Sequence, residues 1–119
     1  MTKKILICDD EEGIRESLKL ILSDHYELII TDSGEQCLDI LKNDKSIGLL
    51  FLDIKMPKIS GLEVLEKTKD LRADVPVVMV TGYKFVETAS EASKLGAVGY
   101  IVKPFKSEDI LATVKKHLK

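Results

Sequence analysis

The sequence contains few cysteines and none of the repeats or low-complexity segments that mark repeat proteins and disordered chains. The two cysteines, Cys8 and Cys37, fall in a predicted strand and a predicted helix, and they lack the spacing of a metal site. We therefore expect two free, buried thiols, which suits a reducing compartment. A chain of 119 residues without a linker predicts one domain over residues 1–119, large enough for a real core but too short for a second domain.

Long blocks of one charge and long apolar runs are also absent. The chain has 18 basic and 20 acidic residues, which gives a net charge of −2, and the two signs are interspersed. This pattern argues against a nucleic-acid-binding surface. The apolar run that follows Lys4 soon ends at two acids, which makes it too short for a signal peptide or a membrane span. We predict a soluble, cytoplasmic protein that binds neither membranes nor nucleic acids directly.

The sequence does contain a regular alternation of apolar strands and amphipathic helices. Predicted strands cover residues 4–8, 26–31, 48–52, 76–81 and 99–102. Predicted helices begin after Asp10, at Ser33, at Gly61, at Lys84 and at Ser107, and the third and fourth cover residues 61–71 and 84–95. Short connections and right-handed crossovers favour a doubly wound, five-stranded parallel sheet of order 2-1-3-4-5 with five helices, the flavodoxin-like α/β fold.

Local signals mark the ends and the inner faces of these helices. Ser33 and Gln36 form a predicted capping box, and Ser107 is the predicted N-cap of the last helix. The predicted inner face of the fourth helix consists of small residues: Val86, Ala89 and Ala92. Because small residues bury little apolar area, we expect this helix to be the element that moves.

Acidic residues follow two of the predicted strands. Asp53 ends the apolar run 49–52, and Asp9 and Asp10 end the first strand. Strands 1 and 3 are neighbours in the order 2-1-3-4-5, so the three carboxylates meet at the edge where such sheets bind ligands. Two like charges roughly 5 Å apart, at an effective dielectric near 20, repel each other by about 3 kcal/mol, so the cluster requires a cation. An open site lined with oxygens suits Mg²⁺.

Two further residues end strands at the same edge. Thr81 is followed by Gly82, whose missing side chain allows a ligand to approach the backbone closely. Lys103 ends the fifth strand, where its ammonium group can pair with Asp53. Each has an ordinary alternative, since Thr81 also fits a turn cap and Lys103 also fits a surface lysine.

Four motifs occur in order over the whole chain: DD at 9–10, DIKMPKISG at 53–61, TG at 81–82 and KPF at 103–105. Together they resemble the receiver domain of bacterial two-component response regulators. The resemblance implies that Asp53 is the phosphoacceptor, that Asp10 binds Mg²⁺ directly and that Asp9 binds it mostly through water. It also implies that the backbone carbonyl of Lys55 is a ligand of the ion.

The same resemblance assigns roles around the phosphoryl group. Thr81 and Lys103 would contact it, and a cis peptide bond would precede Pro104. Tyr100 would be the switch aromatic that rotates inward when Thr81 moves. The phosphoryl donor would be a phosphohistidine on a sensor histidine kinase or phosphotransfer protein, and a downstream effector would receive the signal. Such a domain is not an enzyme, although it assists its own phosphorylation and dephosphorylation.

The predicted kinase-binding surface lies on helix 1 and in the loop after strand 5, at Ile14, Ser17, Pro104 and Phe105. Ile14 also fits a core position, because it stands one turn before Leu18. Lys55 and Tyr83 each lie two residues beyond a site residue, and we expect them to shield the phosphorus from water. Slow hydrolysis of this kind suits a relay or a sustained signal.

Three alternatives fit the sequence less well. A phosphatase of the haloacid dehalogenase type needs a second aspartate where this chain has Lys55. A flavodoxin-like FMN carrier supplies hydroxyls and amides after strand 1, whereas this chain has DDEEG, whose acids repel phosphate. A degenerate receiver that serves only as a fixed interaction module would lack motif residues, and all of them are present here.

Overall fold

Five strands and five helices alternate along residues 3–118, the part of the chain that the computed structural model describes. The strands are β1 (Lys4–Cys8), β2 (Leu28–Thr31), β3 (Ile47–Leu52), β4 (Val77–Thr81) and β5 (Gly99–Val102). The helices are α1 (Glu12–Leu22), α2 (Gly34–Asn43), α3 (Gly61–Leu71), α4 (Val86–Lys94) and α5 (Ser107–His117). The ends of the predicted domain, Met1, Thr2 and Lys119, lie outside the described residues.

All five strands are parallel and stand in the order β2-β1-β3-β4-β5, which confirms the predicted topology. The bounds of β1, β5 and α3 are those predicted. β2 begins at Leu28 rather than at Tyr26, because the Tyr26 N–H donates to the Leu22 carbonyl (3.0 Å) and so belongs to the turn after α1. None of the helices in the described range is long and apolar enough to cross a membrane.

The sheet has a core on each face. In β3, Leu49 and Phe51 pack toward α1 and α5, whereas Leu50 and Leu52 pack toward α2 and α3. The unbroken apolar run of this strand follows from burial on both faces. Each of these side chains is at most 1% exposed, and full burial of one contributes about 1.5–3 kcal/mol to folding. β3 is therefore held firmly, and so is the chain that continues from its end.

The helix starts agree with the sequence in one case and differ in another. Ser33 caps α2 through a hydrogen bond from the Gln36 N–H (3.3 Å), as predicted, but the Gln36 side chain accepts from the Asp32 N–H (3.1 Å) rather than from the N-cap residue itself. The prediction that Ser107 caps α5 is wrong. Lys106 is the N-cap, because its carbonyl accepts the first helical hydrogen bonds, and Ser107 is the first residue of the helix.

α4 contributes the least to the core, but its predicted inner face is partly wrong. Val86 is 78% exposed and stands at the first position of the helix, where the chain has only just left the loop after β4. Ala92 is buried and Ala89 half-buried. The helix begins at Val86 rather than at Lys84, and its mobility stays a prediction.

A buried cation that the sequence did not predict lies at the opposite end of the sheet from Asp9 and Asp53. Arg72 follows α3 and is 6% exposed, and its guanidinium group pairs with Asp74 (3.1 Å). It also donates to the carbonyl oxygens of Leu41 (3.2 Å), Asp44 (3.0 Å) and Ile47 (3.3 Å). Arg72 thereby joins α3 to the segment that leads into β3.

Candidate functional site

Three carboxylates meet at the carboxyl end of the sheet, as predicted from the order of the strands. The Asp53 N–H donates to the Cys8 carbonyl (3.0 Å), which carries the β1–β3 pairing one residue beyond the strands. Asp9, Asp10 and Asp53 each offer one carboxylate oxygen, and these oxygens all lie within 4.8 Å of one another. Asp9 is 2% exposed and Asp53 is 3% exposed, whereas Asp10 faces solvent.

Lys103 reaches this cluster from the end of β5. Its Nζ lies 2.9 Å from Asp9 Oδ2 and 3.3 Å from Asp53 Oδ2. A third carboxylate, that of Glu11, approaches the same nitrogen at 2.8 Å. The peptide bond between Lys103 and Pro104 is cis, as the resemblance implied. The pairing of Lys103 with Asp53 confirms the expected contact, and the pairing with Glu11 is new.

Glu11 is the site residue that the sequence analysis missed. Its N–H donates to Asp9 Oδ1 (2.9 Å), and its side chain reaches Lys103. The available signal was the run DDEE, in which a third acid stands two residues after Asp9. The sequence analysis used this run to place helix 1 and to argue against a phosphate carrier, and it assigned Glu11 no role in the site.

Burial dominates the electrostatics of the two inner acids. It raises the pKa of Asp9 to about 6, and the hydrogen bonds from the Glu11 N–H and from Lys103 offset this only in part. Burial also raises the pKa of Asp53 above its usual value, although Lys103 opposes the shift. For Lys103 itself, burial acts to lower the pKa, but the hydrogen bonds to Glu11 and Asp9 and the charges of Asp9 and Asp53 together raise it. One ammonium group thus faces several acids.

This surplus of negative charge fits a divalent cation. The donor atoms are carboxylate oxygens, which hard cations such as Mg²⁺ prefer to nitrogen or sulfur ligands. Asp10 faces solvent and two buried acids lie behind it, so the site is open on one side and anionic on the other. The residues present therefore suit the ion predicted from the sequence.

A cavity of about 320 Å³ lies in front of the cluster, lined by Asp10, Glu11, Asp53, Lys55, Thr81, Gly82 and Tyr83. Asp53 Oδ1 at its base accepts a hydrogen bond from the Ile54 N–H (2.8 Å). Lys55 and Tyr83, the two predicted shielding residues, therefore line the same cavity as Asp53 and Thr81. A β-carbon on Gly82 would meet no atom of the described chain within 4 Å, so the backbone there is open to a ligand.

Thr81 and Tyr100 are connected through the backbone of Tyr83. The Thr81 hydroxyl oxygen accepts from the Tyr83 N–H (3.3 Å). The Tyr83 carbonyl in turn accepts from the Tyr100 hydroxyl (2.7 Å). Thr81 is 1% exposed, whereas Tyr83 is 37% exposed at the mouth of the cavity. The structure therefore brings both predicted switch residues into one chain of hydrogen bonds.

The predicted partner surface is only partly a free surface. Pro104 is exposed, and Ser17 is half-buried. Ile14 and Phe105 are half-buried and pack against the core on the α1 and α5 side of the sheet. One part of the Ile14 side chain therefore packs in the core, and the remaining part is exposed and available for contact with a partner.

Comparison with known proteins agrees with this arrangement. Residues 5–115 match the family described as the response regulator receiver domain. The chain is 34% identical over 119 residues to sporulation initiation phosphotransferase F of Bacillus subtilis, and the match covers 99% of this chain and 95% of that protein. It is 34% identical over 110 residues to transcriptional regulatory protein FixJ of Rhizobium meliloti, covering 92% of this chain and 54% of that protein. Other relatives are longer still, and the chain spans 25% of response regulator protein FleR of Pseudomonas aeruginosa.

Solved structures show the same fold. A CheY-like response regulator receiver domain protein from Methanospirillum hungatei superposes with a TM-score of 0.91 at 37% identity, over 98% of this chain and 93% of that one. A receiver domain described as BeF3-activated DrrB superposes with a TM-score of 0.88 at 28% identity, over 98% of this chain and 97% of that one. The family match spans nearly the whole sheet together with the acidic end, so the chain belongs to the response regulator receiver domain family.

Proposed function

We propose that this receiver domain accepts a phosphoryl group on the Asp53 carboxylate from a phosphohistidine of a sensor histidine kinase or phosphotransfer protein. The observation that supports this most strongly is the convergence of Asp53, which lines an open cavity, with two other acids and with Lys103. The same cavity is lined by Thr81, a hydroxyl donor. Residues 1–119 would act as one receiver domain.

Asp9, Asp10 and Asp53 would hold Mg²⁺, together with the backbone carbonyl of Lys55. When bound, the ion supplies positive charge that offsets the charge of the carboxylates and of the phosphoryl oxygens. Asp10 is exposed, which suits direct contact. Asp9 is buried, and both its oxygens are hydrogen-bonded to other groups, which suits contact through water.

In the transfer step, an Asp53 carboxylate oxygen forms a bond to phosphorus while the bond from phosphorus to the donor imidazole nitrogen breaks. Little covalent chemistry is left to the protein, so positioning and charge neutralisation dominate. Lys103 would donate to one phosphoryl oxygen and the Thr81 hydroxyl to another. The buried backbone hydrogen bonds of Asp53 hold its carboxylate in place for attack.

The switch would follow from the hydrogen bonds that Thr81 already makes. If the Thr81 hydroxyl turns to the phosphoryl group, the Tyr83 N–H loses its acceptor, and the carbonyl that binds the Tyr100 hydroxyl is free to move with it. Tyr100 would then rotate inward and change the surface that a downstream effector contacts. Water would later hydrolyse the aspartyl phosphate, at a rate that Lys55 and Tyr83 slow by covering the cavity.

The partner proteins would approach from the exposed mouth of the cavity. The kinase or phosphotransfer protein would contact Ser17 and Pro104 directly, and Ile14 and Phe105 through the exposed parts of their side chains. The exchange would take place in the cytoplasm, where the two buried cysteines remain free thiols. Direct binding to nucleic acid by this chain is not part of the proposal.

Labelling with acetyl phosphate in the presence of Mg²⁺ and without a kinase tests the proposal. We expect Asp53→Asn to take up no stable label, because an amide is not a nucleophile for this reaction. Asp32→Asn is the matched control, since Asp32 directly follows β2 at the same edge of the sheet but lies outside the cluster. Asp10→Ala should weaken Mg²⁺ binding and labelling together. Stoichiometric labelling of Asp53→Asn, or no labelling of the parent chain, would contradict the proposal.

A further inference from the structure

The ammonium group of Lys103 has no donor to spare in this structure. A lysine ammonium carries three N–H donors and accepts nothing. Three carboxylate oxygens lie within reach of Nζ: Glu11 Oε1 at 2.8 Å, Asp9 Oδ2 at 2.9 Å and Asp53 Oδ2 at 3.3 Å. A phosphoryl oxygen that binds Lys103 must therefore replace one of these acceptors.

The three acceptors differ in how easily they are replaced. The Asp9 side chain is 3% exposed, so the loss of the ammonium group would leave a buried, unpaired charge there. The Asp53 side chain is 4% exposed, but its carboxylate loses its own charge when its oxygen is bonded to phosphorus. The Glu11 side chain is 62% exposed and returns to water at little cost. Asp9 and Glu11 are the two acceptors that stay charged after phosphorylation, and of these Glu11 is the one that exchanges more readily.

The main chain of Glu11 is fixed independently of its side chain. Its N–H donates to Asp9 Oδ1 (2.9 Å), and its carbonyl accepts from the Arg15 N–H (3.1 Å) in the first turn of α1. The Arg15 guanidinium group also donates to the Asp9 carbonyl (3.0 Å). A change confined to the Glu11 carboxylate therefore alters the contact with Lys103 and leaves the backbone bonds of the site in place.

We propose that Glu11 is a positioning residue that occupies the Lys103 donor needed by the phosphoryl group and releases it when Asp53 becomes phosphorylated. This inference rests on the proposed function, because it takes Lys103 as the ligand of the phosphoryl oxygens. Glu11 holds the ammonium group beside Asp53 in the unphosphorylated state. It then competes with the phosphoryl group for the same nitrogen. Glu11 therefore biases the domain toward the unphosphorylated state.

Binding of beryllofluoride at saturating Mg²⁺ tests the competition. Trifluoroberyllate bonded to the Asp53 carboxylate stands for the phosphoryl group, and its fluorines stand for the phosphoryl oxygens. Because an exposed ion pair is a weak competitor, Glu11→Gln should bind the probe about three- to fivefold more tightly than the parent chain. Glu12→Gln removes the same charge from the next residue, which lies outside the cavity lining, and should change the affinity far less.

Two further measurements separate the contact from a general effect of charge. Glu11→Asp keeps the charge but shortens the side chain by one methylene group, so its affinity should resemble that of Glu11→Gln rather than the parent. In metal-free protein without the probe, the Lys103 ammonium protons should exchange with water faster in Glu11→Gln, as seen by NMR, because one of their acceptors is weakened. This second readout does not depend on phosphorylation chemistry.

Each outcome separates the two proposals. A parent chain that binds no beryllofluoride overturns the proposed function itself. A parent that binds it while Glu11→Gln and Glu12→Gln behave alike overturns the role of Glu11 and leaves the proposed function standing. If Glu11→Asp matches the parent while Glu11→Gln binds more tightly, charge alone is responsible and the competition for Lys103 is refuted.

Discussion

Gly61 couples the stability of the fold to the placement of Asp53, the proposed phosphoacceptor. It is the first residue of α3, and its N–H donates to the Ile54 carbonyl (2.7 Å). A β-carbon at this position would collide with the Asp53 carbonyl oxygen and would lie 2.6 Å from Ile54 Cα. These are main-chain atoms, which cannot rotate away as a side chain does. In Gly61→Ala, either the start of α3 or the backbone of Asp53 has to move.

The size of the effect follows from these contacts. Overpacking of a rigid site costs about 1–3 kcal/mol. Displacement of the helix start also weakens the hydrogen bond to Ile54, which adds about 1 kcal/mol. We therefore expect Gly61→Ala to lower the free energy of unfolding by about 2–4 kcal/mol, a large part of the roughly 5–15 kcal/mol of a typical domain. A shift of the Asp53 carboxylate by about 1 Å should slow labelling by up to about 100-fold.

Urea denaturation and the rate of acetyl phosphate labelling, both measured on folded protein, check this expectation. Gly13→Ala is the matched control, because Gly13 lies in the first turn of α1 and a β-carbon there would meet nothing within 4 Å. This control should be neutral or more stable by up to about 1 kcal/mol, since alanine favours the helix. If Gly61→Ala behaves like Gly13→Ala in both assays, the coupling between α3 and Asp53 is wrong.

Three further predictions concern the cavity, the partner surface and the frame of the sheet. Decay of the label in excess Mg²⁺ should be faster in Lys55→Asn and in Tyr83→Glu than in the parent, because each removes bulk from the cavity lining; equal decay in all three would remove the argument for shielding. Ile14→Glu should slow phosphotransfer from the kinase and spare acetyl phosphate labelling, whereas an equal loss of both would indicate a folding defect. Arg72→Met should lower the free energy of unfolding in urea by about 2–4 kcal/mol, since several carbonyl oxygens lose a charged donor, and a loss below about 1 kcal/mol would refute that account.

The strands and the sheet order were predictable because each strand is a bounded apolar run. β1 ends at two acids, and β5 lies between Gly99 and Lys103, so composition alone marks their limits. The order then follows from short connections and right-handed crossovers. The predicted start of β2 was wrong because Tyr26 is a good strand residue that instead completes a helix turn. Local sequence does not show which hydrogen bond such a residue makes.

Val86 and Ser107, the first residues of α4 and α5, were given wrong roles for a related reason. Val86 has the spacing of an inner-face residue, but it is the first residue of α4, and the preceding loop determines the direction of its side chain. Ser107 is a favourable capping residue, yet the chain enters the helix one residue earlier, at Lys106. In both cases the path of the preceding loop determines how the first residues of the helix are oriented. That path depends on packing elsewhere in the domain. The burial of Arg72 could not be predicted from local sequence either, because its partners are backbone atoms far away in sequence.

The alternation of the strands explains why Lys103 meets Asp9 and Asp53 in particular. Side chains two positions apart lie on the same face of a sheet. Ile7, Phe51 and Ile101 all pack on the side of α1 and α5.

The residues two positions further along these strands are therefore Asp9, Asp53 and Lys103, and the three charged groups leave the sheet on one side. Thr81 lies two positions after Met79 and therefore on the same face of the sheet, which is the face opposite to Asp9, Asp53 and Lys103. Its hydroxyl thus approaches the cavity from the other side of the sheet. Thr81 and Asp53 both line the cavity, and the Lys103 ammonium group lies 3.3 Å from Asp53 Oδ2. A group bonded to Asp53 would therefore have donors on two sides, which is the geometry that recognition of phosphoryl oxygens needs.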